Sequence, residues 1–341
     1  MNIRKLKEFL ADKNLPSFRL NQIIKAVYKE AVFSFSDIST LSKDLRQELD
    51  DSFRILSFEI KKILISRKKE SYKALLELND SNVIETVLLK HSDQSWSVCI
   101  SSQAGCAMNC SFCATGQAGF KRNLSSEEIS DQVLFWKQYI RKNNIIGEIV
   151  SVVFMGMGEP FLNYENLKKS LQILMDDSTF AFGARHLSVS TCGLVDGIKN
   201  FAKDFPQVNL AVSLNSAVNL KRSDIMPINN KHDLKELAKS LDYYFSRNNR
   251  KVFLEYILFL DFNDSDKDAK ALIDFVKSSA RPDLLHLNLI SYNTTASKLK
   301  SPGKERTTWF KNYLNKHKIN VTVRRSMGDE IQAACGQLAG E

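Results

Sequence analysis

No run in this 341-residue chain approaches the roughly 18 uncharged apolar residues that cross a bilayer as a helix. Its opening residues, MNIRKLKEFLADKNL, are charged every few positions and lack the apolar stretch of a secretory signal. A cytoplasmic protein without a membrane partner is the expectation. Cysteine is scarce too: six residues, at positions 99, 106, 110, 113, 192 and 335, are too few and too unevenly spaced for a disulfide scaffold in a chain of this length. They read as reduced thiols. There is no internal repeat, low-complexity tract or long polar linker, so boundaries must come from changes in hydrophobic pattern.

What is present is ordinary for a globular protein, with 43% hydrophobic and 26% charged residues, enough for one large core and a small accessory domain. The net charge of +9 is unusual in being clustered. Arg4, Lys5, Lys7, Lys13, Arg19, Lys25 and Lys29 fall in the first 30 residues, Lys61, Lys62, Arg67, Lys68 and Lys69 follow, and Lys298, Lys300, Lys304 and Arg306 sit in a Gly/Pro-containing stretch. Such clustering suits a polyanionic partner better than an even spread would.

The pattern changes twice. Residues 1–53 read as short amphipathic helices, with Leu6, Phe9 and Leu10 on one face, Ile23, Ile24 and Val27 on another, and Ser17 as an N-cap. Residues 54–91 carry β-like segments at 55–64, 72–78 and 83–89, a strand-rich connection. From 92 to 330, apolar runs at 97–100, 149–155, 186–191, 208–214, 252–259 and 284–290 alternate with helical patterns, the first opened by a capping box of Ser125 and Glu128. That alternation predicts an α/β core with a parallel sheet, open or barrel-like, and puts reactive residues at the C-terminal ends of strands. Residues 331–341 form a C-terminal segment containing Cys335.

Cys106, Cys110 and Cys113 make a C-x3-C-x2-C set on the loop after the first core strand. Structural zinc sites normally close with four protein ligands, and here only three cysteines converge locally. Three thiolates on a four-iron cluster would leave one iron open to a small molecule.

With Phe112 before its last cysteine, this loop resembles the radical S-adenosylmethionine (radical SAM) superfamily. CISSQAGC from Cys99 to Cys106, GMGEP at 156–160 and AACGQL at 333–338 further resemble its RlmN/Cfr family of RNA methyltransferases over nearly the whole chain. The resemblance implies a partial (β/α)6 barrel with a small N-terminal helical domain that binds RNA. It implies a [4Fe–4S] cluster on Cys106, Cys110 and Cys113, and two S-adenosylmethionine molecules per turnover. Gly158 and Glu159 would hold the methionine end of the cofactor, and Ser190, Ser213, Leu214, Asn215 and Asn293 would make its other contacts. Two positions depart from the family: Asn215 stands where His is usual, and Thr294 follows Asn293 where Pro is usual.

Carbon 2 of adenine is electron-poor, so a polar attack on a sulfonium methyl fails there. The family route implied instead runs through Cys335, which accepts a methyl group that is then activated by hydrogen abstraction and adds to the ring. Glu85 would remove the C2 proton, and Cys99 would attack the Cys335 sulfur, leaving a disulfide and methylated RNA. Cys192 reads as structural. The implied targets are an adenosine at the peptidyl transferase centre of 23S rRNA and the adenosine 3′ of the anticodon in tRNA, both reached unstacked. A flavodoxin or ferredoxin would supply electrons to a monomeric enzyme. Two alternatives stay open: methylation of C8, against which Pro160 weighs, and a zinc-stabilised RNA-binding protein without catalysis.

Overall fold

The computed structural model describes residues 1–295, 297–324 and 327–340. Three short helices begin the chain: α1 (Ile3–Asp12), capped by the Asn2 side chain, α2 (Phe18–Ile24), which continues as a π-helical turn over Lys25–Lys29, and α3 (Lys43–Ser52), capped by Ser42. Leu6, Leu10, Ile23, Val27 and Leu49 are buried, as their periodicity requires. Ser17 stands before α2, but its helical backbone leaves the hydroxyl making no cap hydrogen bond, so it is not the cap the sequence suggested.

An antiparallel meander follows, β1 (Phe58–Ile65), β2 (Ser71–Leu78) and β3 (Val83–Lys90), and β3 pairs antiparallel with β4 (Trp96–Cys99). The meander thus extends the core sheet instead of merely linking two domains. A two-stranded ribbon of β5 (Gln103–Gly105) and β6 (Phe120–Asn123) brackets the short helix α4 (Ala114–Gln117). Helix α5 (Ser126–Lys142) then opens with the expected reciprocal capping box. Its fully buried Trp136 donates from the indole N–H to Thr86 on β3 at 3.2 Å.

The remaining strands are β7 (Ile149–Phe154), β8 (Leu187–Thr191), β9 (Asn209–Ser213), β10 (Val252–Leu258), β11 (Leu285–Ser291) and β12 (Val321–Arg324). With β4 they form a continuous parallel run, each in order beside the next. Six of these match the sequence expectation; β12 is additional. Helices α6 (Tyr164–Met175), α7 (Val195–Asp204), α8 (Asn219–Ile225), α9 (Leu234–Arg247), α10 (Asp266–Ser278) and α11 (Lys304–Lys316) fill the crossovers.

The ten-stranded sheet does not close among the described residues, since β1 and β12 are its edges. It is strongly curved nonetheless. Met155 follows β7 and Arg324 ends β12, five strand spacings or about 24 Å apart in a flat sheet. Yet the Arg324 guanidinium Nη1 lies 3.9 Å from the Met155 sulfur. The curl brings the C-terminal ends of β7 to β12 around a common space.

Candidate active site

The cysteine loop is held from three sides. The Cys106 amide donates to Gly119 O at 3.0 Å, the Ser111 amide to Ile225 O of α8 at 3.0 Å, and Cys113 precedes α4. Phe112 is buried against Phe259, ring centroids 5.6 Å apart. Cys106, Cys110 and Cys113 all line a cavity of about 160 Å³ together with Gly158, Glu159, Ser190, Ser213 and Asn215. Burial pushes the Cys106 thiol up to about 12 and the Cys110 thiol well above its ordinary value. Without a metal both are neutral; iron bound as thiolate would displace the protons. Three free thiols on one loop, opening beside a cavity with a carboxylate and two hydroxyls, fit a three-cysteine cluster with an open iron. Among the described residues, no three His, Cys, Asp or Glu side chains converge as ligands of one ion would.

Glycine makes the next wall possible. A Cβ on Gly156 would meet Ile100 carbonyl carbon at 2.7 Å, and Gly158, at φ +97°, would press one to 2.5 Å from the Gln103 side chain. The buried Glu159 accepts from the Phe161 amide at 3.0 Å through Oε1 and from the Cys192 amide at 2.7 Å through Oε2. Burial raises its pKa against these hydrogen bonds. The Cys192 thiol and the Thr191 hydroxyl also lie within reach of this carboxylate. Cys192 faces the same cavity, and burial beside Glu159 pushes its thiol up.

A second cavity, of about 300 Å³, lies against the first, lined by His91, Ser97, Cys99, Asn293 and Cys335 among others. Cys335 belongs to both cavities, as do Cys113, Met155, Gly156 and Arg324. Ser97 and Cys99 share a face of β4, and Ser97 Oγ lies 2.5 Å from both His91 Nε2 and Ser151 Oγ. Cys99 is pushed up to about 12, first by burial and then by the nearby Cys335. Arg324 lines both cavities and opposes the upward push on both thiols, its Nη1 3.3 Å from Glu255.

Residues 100–275 match the radical SAM superfamily, and residues 1–55 match the ribosomal RNA large subunit methyltransferase N-terminal domain. The chain is 40% identical over 340 residues to a ribosomal RNA large subunit methyltransferase Cfr of Clostridium botulinum (strain Okra / Type B1), covering 99% of this chain and 96% of that one. It is 39% identical over 342 residues to a probable dual-specificity RNA methyltransferase RlmN of the same strain, covering 98% and 96%. A solved radical SAM methyltransferase from Sphaerobacter thermophilus superposes with a TM-score of 0.94 at 36% identity, covering 100% of this chain and 98% of that one. The chain belongs to the RlmN/Cfr family of radical SAM methyltransferases.

Membership in that family brings a [4Fe–4S] cluster and S-adenosylmethionine as cofactors, but several residues expected at the RlmN/Cfr site lie elsewhere or are otherwise engaged. Leu214 is fully buried and lines neither cavity; its amide donates to Glu255 O at 2.9 Å and its carbonyl accepts from Arg222. Asn293 lines the second cavity, not the first, and donates to Cys335 O at 3.2 Å. Asn215, at φ +54°, accepts from the Ile257 amide at 3.0 Å, which fixes the turn after β9. All six cysteines are free, so the Cys99–Cys335 disulfide implied by the family route is absent from this state.

Glu85 lines neither cavity. It is buried on β3, ion-paired with the equally buried Lys73 at 3.2 Å. Burial raises its pKa, opposed by Lys73 and by the backbone of Ala339 and Gly340 in the tail that covers it. Residues the sequence did not single out include Arg324, Glu255, His91 and Ser97. Each lies on a strand or a turn beside one, and no spacing motif marks it.

Proposed function

We propose that this chain methylates carbon 2 of an adenine in large-subunit ribosomal RNA by way of Cys335. The observation carrying this reading is the place of Cys335 on the wall shared by two cavities, one with the three-cysteine loop and Glu159, the other with Cys99. A [4Fe–4S] cluster bound by Cys106, Cys110 and Cys113 would supply the electron that splits S-adenosylmethionine.

The chain's own residues do the rest. Glu159, a carboxylate on the wall of the first cavity, takes the ammonium group of the methionine end, while Gly158 admits that end and Ser190, Ser213 and Asn215 bound the cavity. Cys335 attacks the sulfonium methyl: a carbon–sulfur bond forms on Cys335 as the bond to the leaving sulfur breaks. With the cluster and cofactor bound, a hydrogen atom would be abstracted from that S-methyl group so that its carbon adds to C2; the ring then gives up one electron, which would return to the cluster, and its C2 proton, which Glu85 accepts. The Cys99 thiolate then attacks the Cys335 sulfur: a disulfide forms as the bond from that sulfur to the methylene carbon breaks, and the carbon takes up a proton to become the methyl group of the released RNA. A dithiol reductant must afterwards return both cysteines to the free state seen here. Because Glu85 lies under Ala339 and Gly340, this tail has to shift before one base can meet both Glu85 and Cys335.

Charge supports an RNA partner. Lys62, Lys68 and Lys69 on the β1–β2 hairpin are exposed and form no ion pair among the described residues. The same hairpin reaches the segment leading to Cys335, since the Arg67 amide donates to Glu330 at 2.7 Å. These lysines would bind phosphate without choosing sequence. The adenosine 3′ of the anticodon in tRNA is a second substrate in this reading, a flavodoxin or ferredoxin the electron donor, and a cytoplasmic monomer the working form. Among the described residues no helix is long and apolar enough to cross a membrane.

Relatives named for both RlmN and Cfr are almost equally similar, at 39% and 40% identity. Regiochemistry is therefore the point to test. Reconstituted enzyme given 23S rRNA fragments or tRNA, followed by digestion and mass spectrometry, should yield 2-methyladenosine; the C8 isomer, separated by retention, would replace this assignment with the other branch of the family.

A further inference from the structure

Arg222, on α8, is buried to 1% exposure, and among the described residues it forms no ion pair. Its hydrogen bonds go to uncharged oxygens: Nε to Leu214 O at 3.1 Å, Nη1 to Asn229 Oδ1 at 3.0 Å, and Nη2 to Cys192 O at 2.7 Å and Ser213 O at 3.2 Å. Two other cations of the core are matched, the buried Lys73 by Glu85 and the half-buried Arg324 by Glu255, whereas the buried Glu159 is held by backbone amides and forms no ion pair with Arg222 among the described residues. A guanidinium cannot escape by losing its proton, so an unmatched one inside a protein calls for a counter-charge.

Position indicates where that charge belongs. Arg222 binds the carbonyls of Cys192 and Ser213, which both line the cavity of the cysteine loop. The last residue of its own helix, Ile225, accepts from Ser111, next to Cys110. Burial lowers the Arg222 pKa, and the groups set against it are Cys192 and Cys110, which act on it only as thiolates. A four-iron cluster on three thiolates is anionic and gains one more negative charge on reduction, so a fixed cation behind the loop favours the reduced form.

We infer that Arg222 is the resident counter-charge of the cluster and a positioning residue that raises its reduction potential. The inference rests on Cys106, Cys110 and Cys113 holding that cluster. It is tested on full-length protein reconstituted anaerobically with iron and sulfide, by redox titration with dithionite followed by electron paramagnetic resonance, without S-adenosylmethionine or RNA. One electron enters the cluster and no bond breaks. Arg222→Gln should lower the ratio of reduced to oxidised cluster at fixed poise at least tenfold, a midpoint shift of ~59 mV for one electron. Arg222→Lys, which loses the fork of hydrogen bonds but keeps the charge, should stay within about threefold of the unmodified protein. Asn229→Asp is the second route: it leaves Arg222 in place, sets a carboxylate against Nη1, and should lower the potential in the same direction. An unshifted potential in Arg222→Gln or Asn229→Asp, or equal falls in the Gln and Lys variants, would overturn the inference. So would an unchanged potential accompanied by weakened binding in a separate titration of S-adenosylmethionine into the same reconstituted variants, which would make the cofactor carboxylate the counter-ion. Absence of a [4Fe–4S]⁺ signal from the unmodified protein is a separate result, and it would sink the cluster reading itself.

Discussion

The two cavities that meet at Cys335 are built differently. The first is walled by groups whose positions are locked by backbone: Glu159 between two amides, Asn215 on the Ile257 amide, and the cysteine loop tied to Gly119 and Ile225. The second, nearly twice as large, is walled by strand faces, a His–Ser–Ser chain and the segment bearing Cys335. Rigid positioning suits the binding of one small cofactor, while a roomier space beside a terminal segment suits a base that must enter and leave attached to RNA. Cys335 serves both because it sits on a short turn, not within a sheet.

Cys113→Ala should have the largest effect, because it strikes the wall common to both cavities and one cluster ligand at once. We expect loss of the iron–sulfur absorbance and of all methyl transfer, read by optical spectroscopy and product assay; full activity with a bound cluster would show that the loop is not the cluster site. Cys335→Ala should also abolish product, yet leave the paramagnetic resonance signal intact, separating the cavities cleanly. If Cys335 instead stabilises the cluster, that signal will fall too. Cys99→Ala should allow methyl loading of Cys335 and strand the reaction as a covalent protein–RNA adduct, visible as a slow band on a denaturing gel; rapid turnover without adduct would remove Cys99 from the route.

A smaller effect is expected at the Lys73–Glu85 pair. Burial holds the Glu85 pKa above the ordinary carboxylate range, so the proton binds more tightly in the folded state than in the unfolded. Charging Glu85 therefore costs stability as pH rises from the unfolded value through the raised one, and activity as a base is lost as pH falls through that raised value. Lys73→Met should move the acidic limb of the rate profile to higher pH; an unmoved limb would assign the limb to another group. The smallest change is expected for Cys192→Ala, which should keep the cluster and cost about 1 kcal/mol, measured by chemical denaturation. A lost cluster would promote Cys192 from wall to ligand.

How much of this was legible beforehand follows from range. Phe112 and the three clustered cysteines lie within eight residues, and the capping box of Ser125 and Glu128 spans four, so local spacing sufficed for both. Ser17 failed as a cap because propensity names a candidate, while backbone angle decides whether its oxygen can reach an amide. Strand β12 was missed since Val321–Arg324 is half-exposed at a sheet edge and lacks the apolar run of a central strand.

The sequence by itself determined the α/β alternation, the cysteine loop and the chemistry its residue types allow, because periodicity and spacing are properties of neighbours along the chain. Only the tertiary structure decided that Leu214 and Glu85 stand outside the cavities, that Arg324 lines both, and that Arg222 forms no ion pair among the described residues. Those facts depend on how far the sheet curls and on what each buried charge finds across it, and no local pattern encodes either.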